Sequence, residues 1–314
     1  YETMRRDQEL YKGEDFFCEV IDEAQYIKNA GTKGARAVKS VSAQMKLALT
    51  GTPVENRLSE LWSIFDYLMP GFLYSYEHFK KNFEMPIMKK ENEDAMADLQ
   101  KMIHPFILRR LKKEVLSDLP DKIEKCVTIP LEGEQKKLYD AHVQRLKFML
   151  ENEEFANIRM QVLAELTRLR QLCCDPALIY QDYQEGAAKM ELCMELLNNA
   201  VNGGHKVLLF SQFTSMLGIL EKRMEEAGIG YYSLTGSTPK KERMELMEKF
   251  NRDATPVFCI SLKAGGTGLN LTGADVVIHY DPWWNVAAEN QATDRAHRIG
   301  QKRVVTVYKL VAEH

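Results

Sequence analysis

From residue 206 onward the chain alternates short β-branched runs with helical stretches, and this alternation constrains the fold more than any other feature. The runs are VLLF (207–210), YYSLTG (231–236), VFCIS (257–261), VVIHYD (276–281) and VVTVYKLV (304–311). Strands that recur with a helix between them run parallel, and a parallel sheet carries helices on both faces. The intervening TSMLGILEKRMEEAG puts Met216, Leu217, Leu220 and Met224 on one stripe, with Gly228 placed to end the helix. Thr238 and Pro239 read as the N-cap and first-turn proline of the next helix, with Met244, Met247 and Phe250 as its buried face. Residues 189–314 are therefore expected to form a complete doubly wound α/β lobe.

The first half reads differently. Residues 1–58 hold two strand candidates, FFCEVID and KLALTG, with a helix and loop between them. This is part of a second α/β lobe, too small to bury both faces of its sheet. Residues 59–118 read as a helical insertion and connector, and 119–188 as a helical insertion of the second lobe. The latter contains EQKKLYDAHVQRLKFMLENEE, then Ile158, Val162, Leu166 and Leu169 at steps of four and three. The segment PFILRRLKKEVLSDLPDK (105–122) opens on proline and is dense in cations, including Arg109, Arg110, Lys112 and Lys113, which suits a connector better than a core.

At 314 residues the chain fits two or three domains, and 45% hydrophobic with 28% charged residues reads as soluble and globular. A net charge of -3 does not announce a nucleic-acid partner, so any basic surface must be local. The six cysteines form no C-x-x-C pair and show no partnering histidine spacing, which argues against a structural metal or a disulfide framework and for a reducing compartment. No apolar run approaches the ~18 residues of a membrane span. The start at Tyr1, with neither an initiator methionine nor a signal sequence, reads as a beginning inside a longer protein.

Four motifs carry chemistry. VIDEAQ (20–25) ends an apolar strand in Asp22 and Glu23, placing two carboxylates at the carboxyl edge of a parallel sheet, where open α/β folds bind ligands. One can hold the water shell of a magnesium ion while its neighbour activates the attacking water, although alone the pair could be a solvated strand end. LALTGTP (47–53) ends the second strand in small hydroxyl residues, or is an ordinary strand-to-helix turn. SLKAGGTGLNL (261–271) is a glycine-rich turn whose backbone amides could approach an anion. QATDRAHRIGQKR (291–303) follows DPWWN and carries Arg295 and Arg298 three apart, which on a helix would converge on one anionic group.

Taken in order, these motifs closely resemble the SWI/SNF-type DNA translocases of helicase superfamily two, and the resemblance spans essentially the whole chain. It implies RecA-like helicase lobes, ATP and Mg2+ as cofactors, and double-stranded DNA as partner. It assigns Asp22 indirectly to magnesium, Glu23 to catalysis, and Arg295 and Arg298 to the role of arginine fingers on the transferring phosphate. Gln25 stands where many relatives have histidine. Gly268 and Gln291 are implied at the nucleotide. Thr50, Gly51 and Thr52 form the coupling motif, continued by Asn56, Glu60, Leu61 and Trp62. Ser211, Gln212, Ser261, Lys263 and Trp284 are implied at DNA, with Trp283 left to packing, and the cationic Arg109 and Arg110 join them. For Ser211 a helix N-cap, and for Trp284 a place in the core, are the plain alternatives.

No G-x-x-x-x-G-K-[ST] occurs in the chain. The phosphate loop is expected upstream of Tyr1, so this chain alone is expected to be inactive as an ATPase. A superfamily-two RNA or DNA helicase, and an ATPase-inactive DNA- or protein-binding module, are the rival readings. The obstacle moved could be a nucleosome, RNA polymerase or another DNA-bound protein. Compact insertions without long basic tails lean toward a bacterial, cytoplasmic and nucleoid-associated protein, with the nucleus as the alternative compartment.

Overall fold

The computed structural model describes all residues except 12, 52, 53, 55, 56, 117, 263, 265–268 and 314, together with the side chains of Lys90 and Lys113. It divides into two compact units, Tyr1–Arg110 and Leu111–His314, with the boundary inside the cation-rich connector.

In the first unit, β1 (Asp15–Ile21) and β2 (Ser42–Ala48) form a two-stranded parallel sheet. The helix Lys33–Lys39 crosses between them, its N-terminus closed by Thr32, whose hydroxyl accepts from the Ala35 amide at 3.2 Å. Ile21, Ala24, Ile27, Ala35 and Val38 pack on one side with Ile64 and Tyr67. Those last two come from the helix Leu58–Leu68, whose other face offers Leu61 and Phe65 to a second core with Phe79, Phe83 and Leu99. One amphipathic helix thus joins the two-stranded sheet to the helices that follow it. The opposite sheet face stays bare: Val20 and its register partner Leu47 are 53% and 45% exposed. A two-stranded sheet with one helical layer cannot cover both of its faces.

The second unit is built on six parallel strands in the order β3-β8-β7-β4-β6-β5. They are β3 (Lys122–Pro130), β4 (Val207–Ser211), β5 (Tyr231–Leu234), β6 (Val257–Ser261), β7 (Val276–His279) and β8 (Val305–Glu313). Val207 and Leu209 enter one core with Met216, Leu217, Leu220 and Met224, while Leu208 and Phe210 enter the other with Phe250 and Phe258. Burial on both faces is why β4 reads as an unbroken apolar run. Gly228, at φ 68, ends the helix Thr214–Glu226 in the left-handed conformation that favours glycine.

Several local expectations are corrected. Residues 119–188 do contain the helices Gly133–Asn152 and Phe155–Cys174, but they begin with β3, a strand of the main sheet. Leu166 is 39% exposed, and Glu165 is buried instead, bonded to His142. Met244 is 54% exposed, leaving Phe250 and the half-buried Met247 to face the core. The helix after Thr238 starts at Lys240 without a side-chain cap, because the Thr238 hydroxyl accepts from the Thr235 amide. Among the described residues no helix is long and apolar enough to cross a membrane, and no group of three or more His, Cys, Asp or Glu could hold a metal ion.

Candidate nucleotide and DNA sites

In the first unit the two parallel strands end side by side, because the Leu49 amide donates to Ile21 and the Ala24 amide to Leu49. The chain turns sharply at Glu23, which adopts φ 52 and ψ 54, a left-handed conformation uncommon outside glycine. The turn leaves Asp22 exposed, its Oδ1 accepting from the Glu23 amide at 2.9 Å. Glu23 itself is held from outside: Gln25 Nε2 donates to Glu23 Oε2 at 2.7 Å, and Thr50 Oγ1 donates to Gln25 Oε1 at 2.9 Å. Thr50, at the end of β2, is thereby wired to the carboxylate at the end of β1. Glutamine suits this role because its amide accepts at one end and donates at the other. The hydroxyl of Tyr1 donates to the Asp22 carbonyl at 2.6 Å, and burial beside Asp22 and Glu23 pushes that phenol up to about 12.

Gly51 is exposed, and Thr52 and Asn56 lie outside the described residues. Glu60 and Trp62 are structural: Glu60 is buried near Lys28, and Trp62 Nε1 donates to the Tyr74 carbonyl at 3.1 Å.

In the second unit the expected arginine helix ends early. The helix runs Val286–Thr293, and Arg295 and Arg298 lie in the turns beyond it. The segment is fixed by other means. The Leu271 amide donates to the Arg295 carbonyl at 3.0 Å, Arg298 Nη1 donates to the Leu269 carbonyl at 3.2 Å, and His297 Nε2 donates to Pro120 at 2.7 Å. Gln301, 7% exposed, donates to the carbonyls of Ala274 and Ala296 and accepts from the amides of Lys302 and Arg303. The arginine segment is therefore stitched to the end of the glycine-rich turn rather than carried on a helical face. Lys112 of the connector adds an ion pair to Asp294 at 2.5 Å. Arg295 is only 7% exposed, Arg298 and Gln291 are half-buried, and Gly268 lies outside the described residues.

The residues expected at DNA divide by exposure. Ser211 and Ser261 face each other at the ends of β4 and β6, 0% and 2% exposed. Their hydroxyls accept from the amides of Phe213 and Ala264, so they shape the strand-end loops and present no side-chain surface to a phosphate. Nor does Ser211 cap the following helix, which begins at Thr214 after Phe213. The backbone amide of Gln212 donates to both oxygens of Asp281. Burial pushes the Asp281 carboxyl up to about 6, against the pull of Ser211, Gln212, Lys189 and Arg170. Lys263 lies outside the described residues, while Arg109 and Arg110 are exposed. Trp284 is 62% exposed and Trp283 half-buried, which rules out a core position for Trp284.

Sequence reasoning missed three participants. The glutamine relay depends on a contact 25 residues away that no local pattern encodes. Asp281 stood inside DPWWN, but only the fold shows that its carboxylate joins two strand-end loops. Arg170, in TRLRQLCC, reads as one more solvent-facing cation, yet its guanidinium stacks on Trp283 and Trp284.

Paired carboxylates at the carboxyl edge of one parallel sheet, and an arginine segment bonded to a glycine-rich turn in another, mark a RecA-like helicase core. The sequence matches the SNF2-related domain over residues 1–178 and the helicase conserved C-terminal domain over residues 188–300. The chain belongs to the SNF2-related family. It is 44% identical over 299 residues to the putative ATP-dependent helicase/translocase YwqA of Bacillus subtilis, covering 93% of this chain and 32% of that protein. It is 36% identical over 375 residues to the TATA-binding protein-associated factor MOT1 of Saccharomyces cerevisiae, covering 100% of this chain and 20% of that protein. The chain thus spans a third or less of the length of these curated relatives. Among solved structures, the Sulfolobus solfataricus SWI2/SNF2 ATPase core in complex with dsDNA matches with a TM-score of 0.54 and 39% identity, over 99% of this chain and 67% of that one.

Proposed function

We propose that this chain is part of an ATP-dependent translocase on double-stranded DNA, in which ATP hydrolysis drives movement along the duplex and remodelling of DNA-bound proteins. The observation that carries the reading is the Thr50–Gln25–Glu23 hydrogen-bond chain, which ties the end of β2 to the carboxylate best placed to activate water. Asp22, a hard and exposed oxygen donor one residue earlier, fits a Mg2+ ion that keeps its waters and phosphate oxygens and takes few carboxylates. Such an ion would offset charge on the phosphate oxygens. Glu23 accepts the proton of the attacking water, and Gln25 and Thr50 hold its orientation. In the second unit Arg295 and Arg298 are the cations suited to offset charge on a transferring phosphate. Arg109 and Arg110 in the first unit, and Trp284 in the second, are exposed side chains that can each meet the duplex, and contacts to its phosphate backbone carry no sequence information. The dsDNA in the related archaeal complex supports the same polymer here.

The test is ATP turnover by the intact protein with duplex DNA, single-stranded DNA or RNA. Stimulation by duplex DNA is expected, and stimulation by RNA alone would point instead to an RNA helicase. Trp284→Ala is expected to keep most DNA-stimulated turnover at saturating DNA but to lose much of the displacement of a third strand from a triplex, because one lobe then holds the groove less firmly. Since Trp284 is already 62% exposed, its truncation should leave the melting temperature nearly unchanged, unlike the ~3–5 kcal/mol loss of a buried tryptophan. Equal loss of turnover and displacement would remove the groove role.

A further inference from the structure

Arg170 lies on the helix Phe155–Cys174, within the insertion, and reaches the loop that follows β7. Its guanidinium carbon sits 4.8 Å from the ring centre of Trp283, 4.8 Å from that of Trp284 and 5.6 Å from that of Phe213. An Nη2 hydrogen bond of 3.4 Å to the Pro282 carbonyl fixes the same group to the backbone of the tryptophan loop. The two indoles are 4.9 Å apart and inclined at 37°, so one planar cation is shared by a tilted pair of rings. Indole is the best of the aromatic faces for a cation, and a planar guanidinium placed against it restrains the ring without covering it.

The helix that carries Arg170 is itself anchored. Tyr280, just beyond β7, donates its hydroxyl to the Cys174 carbonyl at 3.0 Å, and Gln135 donates to the Leu172 carbonyl at 2.8 Å. Glu165, five residues before Arg170 on the same helix, bonds the buried His142, whose other ring nitrogen meets the Tyr180 hydroxyl at 2.9 Å. The arginine therefore projects from a fixed strut. Without it, an indole that is 62% exposed would be free to leave its present rotamer, and ordering it would be charged against DNA binding.

We propose that Arg170 is a positioning residue that holds the Trp284 indole outward in the pose that meets the duplex, making the helical insertion a support for DNA grip. The proposal rests on the reading of Trp284 as a DNA contact. The test uses the intact protein labelled with 5-fluorotryptophan, in which Trp62, Trp283 and Trp284 of this chain are assigned by single Trp→Phe replacements. Arg170→Ala is expected to shift the fluorine resonances of Trp283 and Trp284 but not Trp62. It should also raise the duplex DNA concentration giving half-maximal ATPase roughly three- to tenfold, with kcat at saturating DNA within about twofold. Arg170→Lys, which keeps the charge and loses the plane, should recover part of that loss. In a Trp284→Ala background, Arg170→Ala should change half-saturation by less than about twofold.

An equal penalty with and without Trp284, unmoved fluorine resonances, or a parallel fall of kcat and melting temperature in both Arg170 variants would overturn the proposal. If Trp284→Ala alone leaves half-saturation unchanged, the DNA reading of Trp284 fails and takes the proposal with it. If Trp284→Ala matters but Arg170→Ala moves no resonance, only the clamp fails.

Discussion

Arg298→Ala in the intact protein should lower kcat for ATP hydrolysis by roughly 10³-fold or more, the loss typical of an arginine finger, while duplex DNA affinity changes little. Arg298 Nη1 rests on the Leu269 carbonyl at 3.2 Å, a neutral acceptor at the end of the glycine-rich turn. A hydrogen bond to phosphate oxygen is charge-assisted and roughly twice as strong, so the guanidinium gains by exchanging one partner for the other. Its segment is held in place by Gln301 and the Leu271–Arg295 backbone bond, so removal of one guanidinium should leave the fold intact. Single-turnover hydrolysis and a DNA titration on the same preparation check both halves. A parallel collapse of DNA binding would make Arg298 a backbone contact instead.

Glu23→Gln should cost about 10²–10⁴-fold in turnover, the usual range for loss of a general base. The change is nearly silent structurally. Gln25 Nε2 now donates to the carboxylate, and the amide oxygen of a glutamine at 23 could accept the same bond, so the Thr50–Gln25 relay and the left-handed turn can persist. What disappears is the capacity to take a proton. ATP binding, followed by a fluorescent nucleotide, should stay within about threefold while hydrolysis fails, since the lost charge touches the reaction more than the ground state. Loss of nucleotide binding in step with turnover would assign Glu23 to holding the nucleotide.

The second unit was legible in the sequence wherever one period dominated. β4 and β6 are buried on both faces and read as unbroken apolar runs, and the Met216-to-Met224 stripe sits at helical spacing around a single core. Legibility failed where the deciding contact is distant. β3 is a charged edge strand whose partner lies more than 180 residues later, Lys122 opposite Val305, and its Glu124 and Lys125 conceal any alternation. The arginine spacing suggested a helix, but the turns after Thr293 are set by bonds to residues 269, 271 and 120. Met244 and Leu166 fit their helical stripes and are nonetheless exposed, while neighbouring residues of the same helices, Phe250 in one and Val162, Glu165 and Leu169 in the other, are buried.

The candidate site followed the same division. Asp22, Glu23, Thr50 and the arginine pair were identifiable from short motifs. Three supporting contacts were not: Gln25 bridges Glu23 and Thr50, Asp281 holds the Gln212 backbone amide, and Arg170 stacks on the two tryptophans, each through a partner distant in sequence. Ser211 and Ser261 illustrate the converse: their positions match a DNA-contacting pattern, while their hydroxyls are buried and spent on local amides.

The most direct test of ATP-driven movement on duplex DNA is displacement of a fluorescent third strand from a triplex flanked by a duplex track, using the intact protein with ATP. Displacement that requires ATP hydrolysis, slows as duplex track is added, and vanishes in Glu23→Gln is the expected result. ATP hydrolysis stimulated by duplex DNA without any displacement, or displacement that persists in Glu23→Gln, would contradict it.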